Sequence, residues 1–285
     1  MKYLSITSLL LVLSIVANCQ SDSTKTSKSD TIVAGNFIII KKEKDGVTVN
    51  DTSANKQKEK LKNKFLELNK NIKTNYFVLD LGFANYQDNT DYATAQSKGY
   101  IDTKRPIMSS SGLALNAGKS SNVNIWLFMQ KVNLYKNVLN LKYGLGLEMF
   151  NFRFDKNVSY RNSPEPTVFM DSISFTKNKL YLGYLTVPVM FNIKMRPSKP
   201  NSLSLSGGIS ASYLAGTHVK QISGERGKQK FRGDFDFNRW RLAAIGEIGV
   251  GPVRLYGSYS FTPIQKSSTG LEQMPFAVGI RFSKW

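Results

Sequence analysis

The chain has 285 residues, is 41% hydrophobic, and carries 39 Lys and Arg against 20 Asp and Glu, a formal net charge of +19. That length permits one or two domains with a real core. The single cysteine, Cys19, excludes a disulfide framework.

The first element is an export signal. "LLLVLSIVA" (Leu9–Ala17) follows Lys2 and has the length of a secretory h-region, too short to span a bilayer. Cleavage after Cys19 would remove the only cysteine, and with Lys2 gone the charge becomes +18. The rival reading is a lipoprotein signal with Cys19 acylated, which Asn18 fits poorly. Export argues against a nucleic-acid partner for so basic a chain. Outer-membrane lipid and lipopolysaccharide are the expected polyanionic partners, with solvated lysine faces as the plainer alternative.

Residues 20–75 read as a polar periplasmic extension. "TIVAGNFIII" (Thr31–Ile40) and "GVTVN" (Gly46–Asn50) flank Asp45-Gly46, which predicts a hairpin turning there. Leu61, Phe65, Leu68 and Ile72 share one stripe of a short helix.

From Tyr76 the period becomes two. Eight runs alternate outward apolar residues with inward small or polar ones. They are Phe77–Phe83, Val123–Met129, Leu139–Met149, Leu185–Ile193, Leu203–Tyr213, Trp240–Ile248, Val253–Phe261 and Phe276–Phe282. Each has about the length that crosses a bilayer at a tilt. Short connections alternate with long gaps at 87–120, 151–178, 216–238 and 263–273. The expected fold is therefore all-β, an eight-stranded antiparallel up-and-down transmembrane barrel over 76–285, with its termini on the short-turn side. A soluble lipocalin-like barrel is the competing architecture.

Side chains fill so narrow a lumen, and charges survive there only when paired. Gly82, Gly144, Gly146, Gly208 and Gly279 should relieve crowding. Counting from the strand bases places Asp80 beside Arg281 at the seam. A turn at Val250-Gly251 would set Glu247 opposite Arg254. Glu148 and Arg241 stand at similar heights. These six are expected to form structural lumen salt bridges rather than an acid/base site. Pro188 cannot donate to a ladder and predicts a bulge at "TVPVM". Trp285 is expected at the periplasmic interface.

"FVLDLGFANY", "NVLNLKYGLGLEM", "YLTVPVMF" and "FAVGIRFSKW" resemble strands of the small outer-membrane β-barrel proteins of Bacteroidota, often called PorT-like. The resemblance covers Tyr76–Trp285 and implies an eight-stranded barrel in the outer membrane. It implies no catalytic residue and no cofactor. Some relatives assist secretion, which adds periplasmic or secretion-related proteins to the expected partners. A hydrolase or acyltransferase would have to use His218, the sole histidine, with Asp234, Asp236 or Ser212. "GERGK" (Gly224–Lys228) lacks the context of a phosphate loop. One histidine without a cysteine cluster makes a zinc site improbable.

Overall fold

The computed structural model describes residues 31–34, 37–40, 71–105, 109–162, 164–199 and 201–283. The chain divides into two units, Met1–Gln57 and Lys58–Trp285. In the first, β1 (Thr31–Ala34) pairs antiparallel with β2 (Phe37–Ile40). The run expected to be one hairpin arm therefore folds back on itself. Asp45-Gly46, the export signal, the helical stripe as far as Leu68, and Trp285 lie outside the described residues.

Among the described residues of the second unit the first strand is β3 (Ile72–Asp88), so Ile72, the last position of the expected helical stripe, opens a strand. A six-residue helix, α1 (Tyr92–Ser97), is capped by the Asp91 carboxylate, which accepts from the Ala93 N–H. Then come β4 (Ser121–Tyr135), β5 (Leu139–Arg153), the short hairpin β6 (Val158–Arg161) and β7 (Thr167–Met170), and β8 (Lys177–Lys194). β9 (Leu203–Ser223) and β10 (Gly227–Phe231) follow, then β11 (Trp240–Val250), β12 (Val253–Ser260) and β13 (Gln273–Phe282).

Eight of these strands close a ring in the order β3-β4-β5-β8-β9-β11-β12-β13, with β13 returning to β3. Every neighbouring pair is antiparallel. Closure removes the sheet edges that would otherwise leave backbone groups unpaired in hydrocarbon. The short-turn end uses tight chemistry. Lys136 and Asn137 both adopt positive φ (44° and 57°), and the Val138 N–H donates to Tyr135 O at 2.9 Å. That is the mirror-image turn whose twist matches a hairpin. At the β11–β12 turn, Gly251 takes φ 61° ahead of Pro252, a backbone geometry few other residues adopt.

One apolar side chain from each barrel strand, Leu81, Ile125, Leu147, Val187, Ile209, Leu242, Leu255 and Ile280, points outward and is 37–54% exposed. A continuous apolar belt of this extent is not a surface for water. Phe83, Tyr213, Trp240, Tyr259 and Phe261 ring its long-loop edge, and Tyr76, Phe77 and Tyr135 its short-turn edge. Ten steps from Trp240 to Val250 cover ~33 Å along the strand, or ~25 Å at a barrel tilt, the height of a membrane band.

Four features differ from the sequence reading, each for a physical reason. Leu127 is an extra residue between Trp126 and Phe128, where the β4–β5 register shifts. Phe77, at φ 53°, stands unpaired opposite it on β3. Below this point the faces exchange, so Met129, expected toward lipid, is fully buried in the lumen. The second departure concerns Pro188. No bulge forms there: the register is continuous across it, and the ladder to β5 simply lacks the pairs at Gly144 and Leu145. The bulge lies higher, at Gly183/Tyr184, with Ala215 as the extra residue on β9. Third, the β11–β12 turn pairs Gly249 with Arg254 and Glu247 with Tyr256, so Glu247 and Arg254 are not directly opposite. Fourth, gap 216–238 is no open loop. β9 runs on to Ser223 and β10 pairs back onto it, extending the sheet beyond the belt.

Glycines permit close strand approach at the seam. A Cβ on Gly279 would sit 2.3 Å from Leu81 O and 2.4 Å from the Gly82 Cα. Gly82 and Gly279 are register partners, so the two bare backbones pass where no side chain fits.

Candidate functional site

Nearest the short turns, the lumen holds a charged cluster centred on Glu247. Its Oε2 accepts from Arg281 Nη1 at 2.8 Å, and its Oε1 accepts from Ser206 Oγ at 2.9 Å and from Lys142 Nζ. Arg254 Nη1 lies 3.5 Å from the same oxygen. Arg281 also forks onto Asp80, with Nε donating to Oδ1 and Nη2 to Oδ2, both at 2.7 Å. Asp80 Oδ2 further accepts from the Trp126 indole at 2.7 Å and from Asn124 at 3.1 Å. The Arg281 guanidinium lies 5.1 Å from the Trp126 ring centroid, a cation–π contact.

Val78, Trp126, Met129, Met190 and Ile245 form a small apolar cluster beside these charges, with Met190 the register partner of Lys142. Nearer the long loops, Arg241 Nη1 donates to Glu148 Oε2 at 2.7 Å. Thr186 Oγ1 lies 3.3 Å from that carboxylate and 2.9 Å from Ser212 Oγ. The Arg241 cation lies 4.9 Å from the Phe150 ring centroid and 5.5 Å from that of Tyr184, and these two rings meet edge-on.

All six charges named from the sequence thus lie in the lumen, and the structure joins Asp80 to Arg281, Glu148 to Arg241 and, more loosely, Glu247 to Arg254. What the sequence does not reveal is that Glu247 binds three cations and that Lys142 is one of them. The alternation puts Lys142 on the inward face, but β5 and β11 are not neighbours, so no pairwise strand count brings the two together. Each carboxylate is held by cations at close range. A site built this way neutralises buried charge.

The long-loop end is closed by a second core. Tyr86, Phe150, Phe152, Phe154, Tyr160, Phe235 and Phe237 are all buried in one cluster with Ile101, Leu113 and Val168 from the loops. Tyr160 meets Phe235 and Phe237 edge-on at 5.9 and 6.0 Å. Polar groups tie the loops down: the Tyr100 hydroxyl donates to Phe235 O at 2.7 Å, and Asn178 Nδ2 donates to Val158 O at 2.6 Å. The loops form a cap with an interior of its own. On its flank, a cleft of ≈ 520 Å³ lies between the β6–β7 hairpin and the β9–β10 extension. Arg161, Arg226, Lys230, Arg232, Phe169 and Phe231 line it. Arg226 is committed to Asp171 at 2.9 Å.

His218 stands apart from every partner considered for it. It is on β9, stacked on Tyr181 with ring centroids 4.6 Å apart. Ser212 is inside the lumen against Thr186. Asp236 is bonded to Lys266 at 2.8 Å, and Asp234 faces Arg239. Burial first, then Lys230, Lys179, Arg232 and Lys220, hold the imidazole down at about 4, against an ordinary 6.5. The folded form therefore binds a proton less readily than the unfolded chain. Its stabilising contribution is present above about pH 6.5 and is lost as pH falls toward about 4. NMR of a ring-labelled sample should show His218 titrating near pH 4. A midpoint near 6.5 would mean that the imidazole is open to solvent and its charge screened from the neighbouring lysines.

The family model of the outer membrane protein beta-barrel domain matches residues 46–272, more than half of the chain. Among solved structures, the chain is similar to Ail, the attachment invasion locus protein of Yersinia pestis. The identity is 11% and the TM-score 0.28, over 73% of this chain and 99% of that one. No curated protein matches the sequence.

Proposed function

Because this chain belongs to the outer membrane protein β-barrel domain family, we propose that it is a non-catalytic integral barrel of the outer membrane that acts as a surface interaction or adhesion protein. Its long-loop end faces outward and its short turns face the periplasm, as in other such barrels. The observation that carries this reading is the filled and capped lumen. Met129, Met190, Lys142 and Arg281 are fully buried across its section, and the aromatic loop cluster closes its outer mouth. Such a barrel has no room for solute passage, and its ordered cap is the surface left to meet a partner. The basic, aromatic-lined cleft on the cap suits an acidic macromolecule. The segment before β3 supplies a periplasmic contact, and PorT-like kinship would make that contact a secretion component.

The test uses the purified full chain. In planar bilayers it should show no steady stepwise conductance, and in lipid and peptide hydrolysis assays no turnover. Reproducible channel openings would replace this reading with a pore. Turnover that disappears in His218→Ala would replace it with an enzyme.

A further inference from the structure

The bulge at Ala215 keeps the outward face of the barrel continuous with the outward face of the β8–β9–β10 extension. Six residues beyond the aromatic edge on β8, that face becomes cationic. Arg153 on β5 is the register partner of Lys179 on β8, Lys179 of Lys220 on β9, and Lys220 of Lys230 on β10. Four like charges thus stand side by side across four adjacent strands. In the next outward row, Lys177 and Lys228 flank Ile222 from either side. Like charges directly opposite on a sheet repel and destabilise it.

Carboxylates do not relieve this repulsion. Among the described residues, no ion pair involves Lys177, Lys179, Lys220, Lys228 or Lys230. Lys179 finds one neutral acceptor, Asn151 Oδ1 at 2.7 Å. Lys220 is held below the ordinary lysine value, with Lys228 the largest cause. The protein has assembled a cation cluster that its own acids leave open.

Height identifies the occupant. From Leu185, opposite Tyr213 at the aromatic edge, to Lys179 is six residues. That is ~20 Å along the strand and ~15 Å along the barrel axis at a 35–45° tilt. Between them lie Gly183, Gly216 and the stacked Tyr181–His218 pair, an amphipathic step of the kind found at membrane interfaces. Anything bound to the lysines therefore has apolar chains that can lie on the belt below and anionic groups in the layer above. We propose that this face binds the anionic glycolipid of the outer leaflet, with Lys179, Lys220 and Lys228 contacting its phosphate groups. The inference rests on the membrane placement of the barrel and not on the cap cleft.

The full chain in detergent is titrated with fluorescent bis-phosphorylated lipid A, with its dephosphorylated form and with inorganic phosphate. The variant is Lys179→Gln/Lys220→Gln/Lys228→Gln, and Arg161→Gln in the cap cleft is the control. The variant removes repulsion, so it should fold at least as well as the native chain, read as retained heat-modifiable gel migration. Its affinity for bis-phosphorylated lipid A should fall on the order of 100-fold, from about tenfold or less per lysine near a membrane surface. Arg161→Gln should bind as the native chain does. Equal binding of both lipid forms, or unchanged affinity in the triple variant, would reduce the face to an ordinary lipid contact and overturn the proposal. So would complete competition by millimolar phosphate, which would make it a free-anion site. A loss confined to Arg161→Gln would move the ligand to the cap and leave the interaction reading of the cap intact.

Discussion

Glu247→Gln is expected to be the most damaging single change in the barrel, lowering its stability by about 3–5 kcal/mol, the range for breaking a buried ion pair by removing one partner. The carboxylate is nearly enclosed and serves Lys142, Arg254 and Arg281 together. The amide keeps the shape but removes the only charge these three cations share. Asp80 still balances Arg281 at the seam, but Lys142 and Arg254 lose their anion. Their hydroxyl neighbours, Ser206 for Lys142 and Ser204 for Arg254, carry no charge. The measurement is the urea unfolding midpoint of detergent-folded protein, with heat-modifiable migration as the folding check. The double variant Glu247→Gln/Lys142→Met should recover part of the loss, since it removes a cation along with the anion. A native midpoint for Glu247→Gln alone would show that water, not this carboxylate, balances the lumen charges.

The second large effect lies on the other face of the wall. Ile209 points outward near the middle of the membrane section of β9, with Val189 and Ala244 as cross-strand partners. Ile209→Arg should cost about 2–4 kcal/mol in a lipid bilayer, and Val253→Arg, beside the β11–β12 turn, only about 0–1. Depth is the variable, because arginine near the turn reaches the interface while arginine at mid-height must stay in hydrocarbon. Refolding titrations into lipid vesicles measure both. Equal costs at the two positions would mean that the belt faces a uniform surface rather than a membrane.

Much of this molecule was legible because a lipid-embedded strand has few options. Its side chains must alternate, so Leu79-Asp80-Leu81 or Val278-Gly279-Ile280 announces both a strand and its orientation. Its length must cross the band, and its short turns must lie at one end, so the strand count and the meander topology follow from the chain alone. Even the height of Asp80 and of Arg281 can be counted from a strand base. Parity was lost where a single extra residue intervenes. Leu127 sits inside a run that looks regular and Ala215 just past the end of one, and an apolar residue in a bulge carries no compositional mark. Pro188 carries the opposite lesson: its missing N–H costs a local ladder bond, but the register holds across it.

Away from the bulges, the sequence by itself determined which residues face hydrocarbon and which face inward, because that division is imposed one strand at a time by the two-residue period. Only the tertiary structure decided which inward residues meet. Glu247 reaches Lys142 across the lumen, and the loops from 87–120 and 151–178 share one aromatic core. Arg153, Lys179, Lys220 and Lys230 fall into one row only when four strands are laid in register. Each of these depends on closure of the ring and on its stagger, which are set by the packing of all eight strands together and by no local run of residues.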